Sequence, residues 1–565
     1  MEELANDVQT LAMDHHGLVA AVCKDLKIAE KIDAKIHKKD KRRVLSPGKA
    51  VIAMILNGLG FTNRRLYLTH QFFATKPIEK LLFEEKISAS DITDYTLGHT
   101  LDEIASYSSS QLFGEVAFEI AIENDLLGSL NHLDTTSMSV SGEYCGEEQK
   151  EGEEKSNVIK LTHGHSKAHR PDLKQAVLSL VINGSSSMPL FMEPLSGNSS
   201  DKTSFHETIA RVEGLKAQLN TDKNFKWIAD SALYTRDKLL RTQQPYLWLT
   251  RVPENIKESK ELIRKADSEI IWTFMDKGYK VAPFESSYGD VQQRWLLVYS
   301  EQAYQREKKT LDKNIKKKGK ELKKALWHLG NRIFGCEKDA KAALSSIEKM
   351  YPLYKIYANF LPETKYKKKG RPKGEDHPTL VGIKVESSYE ENSESIKQVL
   401  NGKGRFILAT NDLDKEAYSD QMILNEYKEQ QKVERGFRFL KDPWFMVDSI
   451  FLKTPKRIEA LMMVMTLCLM VYNIAQHRLR ETLKKEEETL PNQLNKPIQN
   501  PTMRWIFQLM EGIGVIQFYD ETKKKVKRLV TNLSELRKKI ICLFGDTACA
   551  LYGLNQKSTA EILGM

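Results

Sequence analysis

Apolar residues recur at i, i+3, i+4 spacing in LVAAVCKDLKIAEKI and AVIAMILNGLGF, the period of helices with one buried face, so residues 1–112 read as a helical region. Past 113 the pattern changes. A helix over about Phe113–Leu127 precedes an alternating stretch, Asn131–Val140. Two strand-like runs follow, AVLSLVIN (Ala176–Asn183) and MPLFMEP (Met188–Pro194), joined by the turn residues GSSS. A helix near Lys202–Leu219 and the short strand FKWIA, which leads into Asp230, bring this part to residue 253.

Three strands in a meander, a helix and a fourth strand is the order of ribonuclease-H-like folds, and of many other α+β domains. Residues 254–402 interrupt that unit. They hold strand candidates at Glu269–Phe274 and Arg294–Tyr299, a Lys-rich helical stretch from about Glu301 to Met350, and the run KYKKKGRPKG (Lys365–Gly374). The core pattern resumes over 403–480 with RFILATND (Arg405–Asp412), a long helix from about Ser419 to Lys441 and an apolar helix after Pro455. A basic helical region, 481–565, ends the chain. The expected fold class is α/β, a ribonuclease-H-like core split by an insertion domain, with helical N- and C-terminal regions.

At 565 residues the chain has room for three or four domains. Lys plus Arg (86) exceed Asp plus Glu (76), a balance of +10 that mildly favours a polyanionic partner. A basic patch, Lys38, Lys39, Lys41, Arg42 and Arg43, precedes a helix start at Ser46-Pro47; it is either a DNA contact or a solvated loop. The six cysteines form no C-x-x-C pair, which argues against a zinc ribbon or a disulfide framework. The opening MEELANDVQT is acidic where a signal peptide is basic. The apolar run Ala460–Tyr472, at 13 residues, is too short for a bilayer and reads as a core helix. The expectation is a cytoplasmic protein with no membrane partner.

Three carboxylates carry the candidate chemistry. Asp134 interrupts an alternating strand, where a carboxylate is costly unless paired or bound to a cation. Asp230 ends a second strand, where α/β folds commonly place site residues; turn or cap roles account for many such aspartates. Glu434 lies on NEYKEQQKVERGFRFLK, where Gln430, Glu434, Arg438 and Lys441 recur at steps of three or four. Ile423, Val433, Phe437, Phe439 and Leu440 supply its apolar side.

With these positions in place, the sequence resembles the DDE transposases of the insertion sequence 4 superfamily, most closely the insertion sequence 1634 type. Their signature Y-x2-R-x3-E-x6-K is matched by Tyr427, Glu434 and Lys441, with Gln430 in place of the arginine. The resemblance extends to LDTTSMSVSGEY, GHSKAHRPDLKQ, GNSSDKTSF, WIADSALYT, RFILATND and the N-terminal helical region. It implies Asp134, Asp230 and Glu434 as catalytic ligands of two Mg²⁺ or Mn²⁺ ions, with Tyr427, Gln430, Arg438 and Lys441 beside DNA phosphates. Such hard ions prefer oxygen ligands, which suits carboxylates. It also implies a homodimer acting on the terminal inverted repeats of an insertion sequence and on target DNA, with 254–402 as the insertion. An inactive, transposase-derived DNA-binding protein is the rival, favoured only by Gln430. A hydrolytic nuclease of the same fold would share the metal site.

Other features carry less. His163, His165 and His169 sit in a basic loop beside Lys167, Arg170 and Lys174, which outweighs a metal site. Gly370–Lys373 (GRPK) is a linker or a minor-groove arm. Trp272 and Trp295 are strand-core residues or base-stacking platforms. No G-x-x-x-x-G-K-[ST] loop is present, so ATP-driven chemistry is not indicated.

Overall fold

The alternation at Asn131–Val140 becomes strand β1 (Leu130–Val140) of a mixed sheet. The computed structural model describes residues 8–37, 43–62, 65–140, 144, 158–166, 170–236, 239, 246–366, 377–442, 445, 452–519 and 525–554. The chain forms two compact units. The first joins Met1–Leu249 to Asn425–Met565; the second is Thr250–Leu424.

In the first unit β2 (Lys174–Asn183) runs antiparallel to β1, and β3 (Pro189–Ser196) antiparallel to β2. On the other side of β1 lies β4 (Lys226–Ala229), parallel to it. Next to β4 comes β5 (Leu247–Arg251), within which the chain passes into the second unit. The order is therefore β3-β2-β1-β4-β5, and the chain changes direction across the sheet between β1 and β4.

Helices cover both faces. On one, Ser179 of β2 meets Thr208 of helix α2 (Asp201–Gln218) at 3.3 Å, and Thr208 donates to Glu193 at 2.9 Å. Helix α1 (Ser109–Glu123) packs there through Gly114, where a Cβ would fall 2.7 Å from Leu215 and 3.1 Å from Phe191. The segment carrying Glu434 is not one long helix but two, α3 (Asp420–Lys428) and α4 (Gln431–Leu440). The amides of Gln430, Lys432 and Val433 each bond to a carbonyl three residues back, a tightened turn that shifts the helical phase. Helix α4 and helix α5 (Pro455–Lys485) pack on the second face. Although α5 is long and apolar enough to cross a membrane, 78% of its most apolar window is buried in the protein. It reads as a core helix, longer than its apolar run suggests.

The N-terminal part is helical as its period predicts, and Ser46 caps the helix Pro47–Gly58 by accepting from the Lys49 amide at 3.2 Å. It also holds a strand, Val8–Ala12, paired with Gly514–Tyr519, which pairs in turn with Lys525–Thr531. The C-terminal region is thus not wholly helical.

His15 and His16 are buried in this part, His15 stacked on Phe507 at 4.0 Å and bonded to the Leu59 carbonyl at 2.9 Å. Burial, with Lys76, pushes His15 down to about 4 against the pull of Leu59 and Asp14; His16 is likewise pushed down by burial, His15 and Lys76, against its bond to the Met13 carbonyl. Each is depressed in the folded state, so the stabilisation present above the unfolded value near 6.5 is lost as pH falls towards the folded value. Between pH 7 and pH 5, His15 alone is expected to remove about 2 kcal/mol. Urea unfolding across that range checks it; an unchanged midpoint would contradict the burial.

In the second unit Thr273–Met275, Tyr279–Ser286, Gln293–Ser300 and Arg405–Thr410 pair antiparallel in sequence. RFILAT pairs with Gln293–Ser300 in this unit. The Lys-rich stretch is two helices, Glu301–Gly330 and Glu337–Met350. They enclose a core of Leu322, Leu326, Leu344 and Val385 with the hairpin Tyr354–Lys365 and Thr379–Glu391.

Candidate active site

The parallel register of β1 and β4 ends at Leu133 opposite Ala229, and the next residue on each strand is an aspartate, Asp134 and Asp230. Neighbouring strands lie about 4.8 Å apart. Asp230 keeps extended backbone (φ −72°, ψ −177°), so the alternation carries on and both side chains leave the same face. The pair thus sits at the carboxyl end of β4, where the strand order changes direction.

That face is the one α4 covers. Asp134 stands directly opposite Leu180, so their side chains share a face. Leu180 and Ile182 run up against Gly436, where a Cβ would lie 3.7 and 3.0 Å from their methyl carbons and 3.2 Å from Leu469. Glycine is what allows α4 this close to the sheet. Val433, Phe437 and Leu440 are buried with it, while Glu434, Arg438 and Lys441 are exposed. At 100° per residue Glu434 is about 160° around α4 from Gly436, and Lys441 within about 20° of Glu434. Gly436 meets Leu469 of α5, which packs towards β3. Glu434 therefore lies on the side of α4 turned from that packed face.

Each aspartate already has one oxygen engaged. Asp134 Oδ1 accepts from the Thr135 amide at 2.7 Å, and Asp230 Oδ1 from the Ala232 amide at 2.9 Å as the cap of a short turn, Ser231–Leu233. Both are half-buried. Among the described residues, no three His, Cys, Asp or Glu side chains are grouped closely enough to hold an ion as they stand. The structure brings Asp134 and Asp230 together and sets Glu434 on the helix over their face.

Of the other candidates, Tyr427 lies on α3 beyond the tightened turn and is half-buried; Gln430 is the residue at that turn. Tyr427 thus does not continue the face of Glu434. Arg43 is not a DNA contact: it is buried, donating to Glu103 at 3.0 and 3.1 Å and to Thr100 at 2.7 Å. Lys38, Lys39, Lys41 and Arg42 lie outside the described residues, as do Lys167, His169 and Gly370–Lys373. His163 and His165 are exposed. Trp295 is a buried strand residue bonded to Gln293, and Trp272 donates to Asp267 at 3.0 Å.

Two of the quoted motifs converge. Gln175 donates to the carbonyls of Gly197 (2.8 Å) and His165 (3.3 Å), and a Cβ at Gly164 or Gly197 would fall about 2 Å from a backbone oxygen. The sequence reading missed His132, buried two residues before Asp134, which burial and Lys432 push down to about 4. It also missed Arg435, Arg480 and Arg504, which come together beside α4. Only Arg435, adjacent to Glu434, carried a local signal.

The family described as "Transposase DDE domain" matches residues 132–473, and one described as "Domain of unknown function (DUF4277)" matches residues 8–118. No curated protein matches the chain. Among solved structures, a cryo-EM structure of the piggyBac transposase synaptic complex with hairpin DNA is similar at a TM-score of 0.35 and 10% identity. The match covers 87% of this chain and 80% of that one.

Proposed function

From the premise that the chain belongs to the transposase DDE domain family, we propose that it cuts DNA at the ends of an insertion sequence and joins the freed ends to target DNA. The reading takes Asp134, Asp230 and Glu434 as ligands of two divalent ions, Mg²⁺ or Mn²⁺. The observation that carries it is the parallel register, which sets Asp134 and Asp230 side by side on the face under the Glu434 helix. An oxygen-only donor set with each aspartate already oriented by a backbone amide fits a hard ion.

When bound, such a pair of ions supplies an activated water or 3′-hydroxyl and stabilises the leaving oxygen. The chain's own residues do the rest. The three carboxylates hold the ions, and Arg438 and Lys441, exposed near Glu434, take phosphates that keep the strand in line. Gln430 meets the same strand about one turn earlier, and Tyr427, on α3, takes it from a different side.

The finer reading is a ribonuclease-H-like core interrupted by an insertion, in a transposase of the insertion sequence 4 superfamily, insertion sequence 1634 type. The strand order β3-β2-β1-β4-β5 with antiparallel β2 supports the fold, and the Tyr427, Glu434, Lys441 spacing supports the type. We take it to act in the cytoplasm as a homodimer, because its substrate has two ends.

Gln430, which stands where the signature has arginine, favours a second reading as an inactive DNA-binding descendant. One experiment separates both from a protein with no nucleic-acid role. DNA affinity is measured as salt is raised, and cleavage of element-end DNA is followed with and without Mg²⁺. A slope of log K on log salt of about −0.9 per phosphate contacted, over at least roughly six phosphates, is expected, with cleavage only when the metal is present. Steep binding without cleavage would leave the inactive reading; a flat salt response would remove both.

A further inference from the structure

On the side of α4 that carries Arg435, about 100° round the helix from Glu434, is a recess of about 280 Å³. Lys432, Arg435, Arg438, Arg480 and Arg504 line it against one carboxylate, Asp442. Phe61, Phe439 and Tyr472 form apolar wall, Phe439 and Tyr472 with ring centres 4.8 Å apart.

The cations are held ready. Arg480 donates to the carbonyls of Pro501 (3.0 Å) and Asn500 (3.2 Å), which fix its head without neutralising it. Arg504 pairs with Asp442 at 2.5 Å and lies over the Phe61 ring at 5.4 Å. Arg435 and Arg438 make no ion pair among the described residues. Burial pushes the Arg480 guanidinium down, and the Arg435 charge adds to that push against Tyr472, so the two arginines repel across the recess. Like charges gathered in a partly desolvated hollow cost stability until an anion fills it. Guanidinium groups on several sides match the oxygens of a phosphate.

We propose that this recess is a phosphate-binding subsite, separate from the carboxylates, that takes a backbone phosphate of a bound DNA strand on Arg435, Arg480 and Arg504. The proposal rests on the transposase reading. It places an anchor about 100° round the helix from Glu434, so one helix reads the strand at two points.

The test uses the full chain and a labelled DNA duplex of fixed sequence. Arg435→Gln is the informative variant, because Arg435 is exposed and holds no partner that its loss would strand. Its affinity is expected to fall about 3–10-fold at 0.1 M salt, with the salt slope shallower by about 0.9, one phosphate's share. Arg435→Lys keeps the charge and the slope, and Lys538→Gln, at a residue that pairs with Glu535 and does not line the recess, changes neither. Unchanged affinity and slope in Arg435→Gln, with wild-type binding intact, would overturn the subsite and leave the transposase reading standing. A flat salt response in the wild type would remove both. Inorganic pyrophosphate separates a strand phosphate from a free anion. If it raises the melting temperature only when Arg435 is present, while DNA binding ignores Arg435, the recess serves a free anion and the proposal is wrong.

Discussion

Asp134→Asn is expected to lower DNA cleavage at least about 10³-fold, roughly 4 kcal/mol of transition-state stabilisation, while DNA affinity changes by less than about threefold. Asp230→Asn and Glu434→Gln should behave alike. The carboxamide keeps the size and one acceptor oxygen, so the amide bonds from Thr135 and Ala232 can persist while the charge that holds the ion is gone. Affinity survives because it comes from Lys and Arg on phosphates, not from the metal site. Single-turnover cleavage on pre-bound DNA separates the two quantities. A variant that cleaves at the wild-type rate removes its residue from the site. One that loses binding and melting temperature together shows a structural carboxylate instead, which for Asp230 means its cap on Ser231–Leu233.

The second large effect lies far from the chemistry. Glu103→Ala is expected to destabilise the chain by about 3–5 kcal/mol, because it removes the carboxylate paired with a guanidinium whose side chain is 4% exposed. Thr100 also accepts from Arg43, but a hydroxyl cannot neutralise the charge. Removing both charges by Arg43→Met with Glu103→Leu should restore most of the loss, since apolar replacement of a buried pair is often neutral. Urea midpoints of the single and double variants measure this. A single-variant loss under about 1 kcal/mol would mean that water reaches the pair.

What was legible in the sequence follows how local each cause is. The strands β1 to β4 declare themselves within about ten residues, β1 by alternation and the others as short apolar runs, and fall close to where the pattern puts them. The adjacency of Asp134 and Asp230 depends on a parallel pairing between segments 96 residues apart, and no local signal encodes it. Arg43 looked like part of a basic patch because its partner, Glu103, is 60 residues away. The strand Val8–Ala12 was hidden for the same reason, since its partner is Gly514–Tyr519. The break between α3 and α4 falls in Lys428-Glu429-Gln430-Gln431-Lys432, all good helix formers, so propensity gives no warning of it. Gly436 was visible as a residue but not as a requirement, because the side chains that crowd it come from β2 and α5.

The central claim is that two divalent ions sit on Asp134, Asp230 and Glu434. Anomalous scattering from Mn²⁺ in crystals of the protein with bound DNA tests it most directly. The account predicts two peaks about 3.5–4 Å apart, each within coordination distance of these carboxylates, with Glu434 turned from the α4 flank to meet them. Peaks held by other residues, or ions on Asp134 and Asp230 with Glu434 still in solvent, would contradict it.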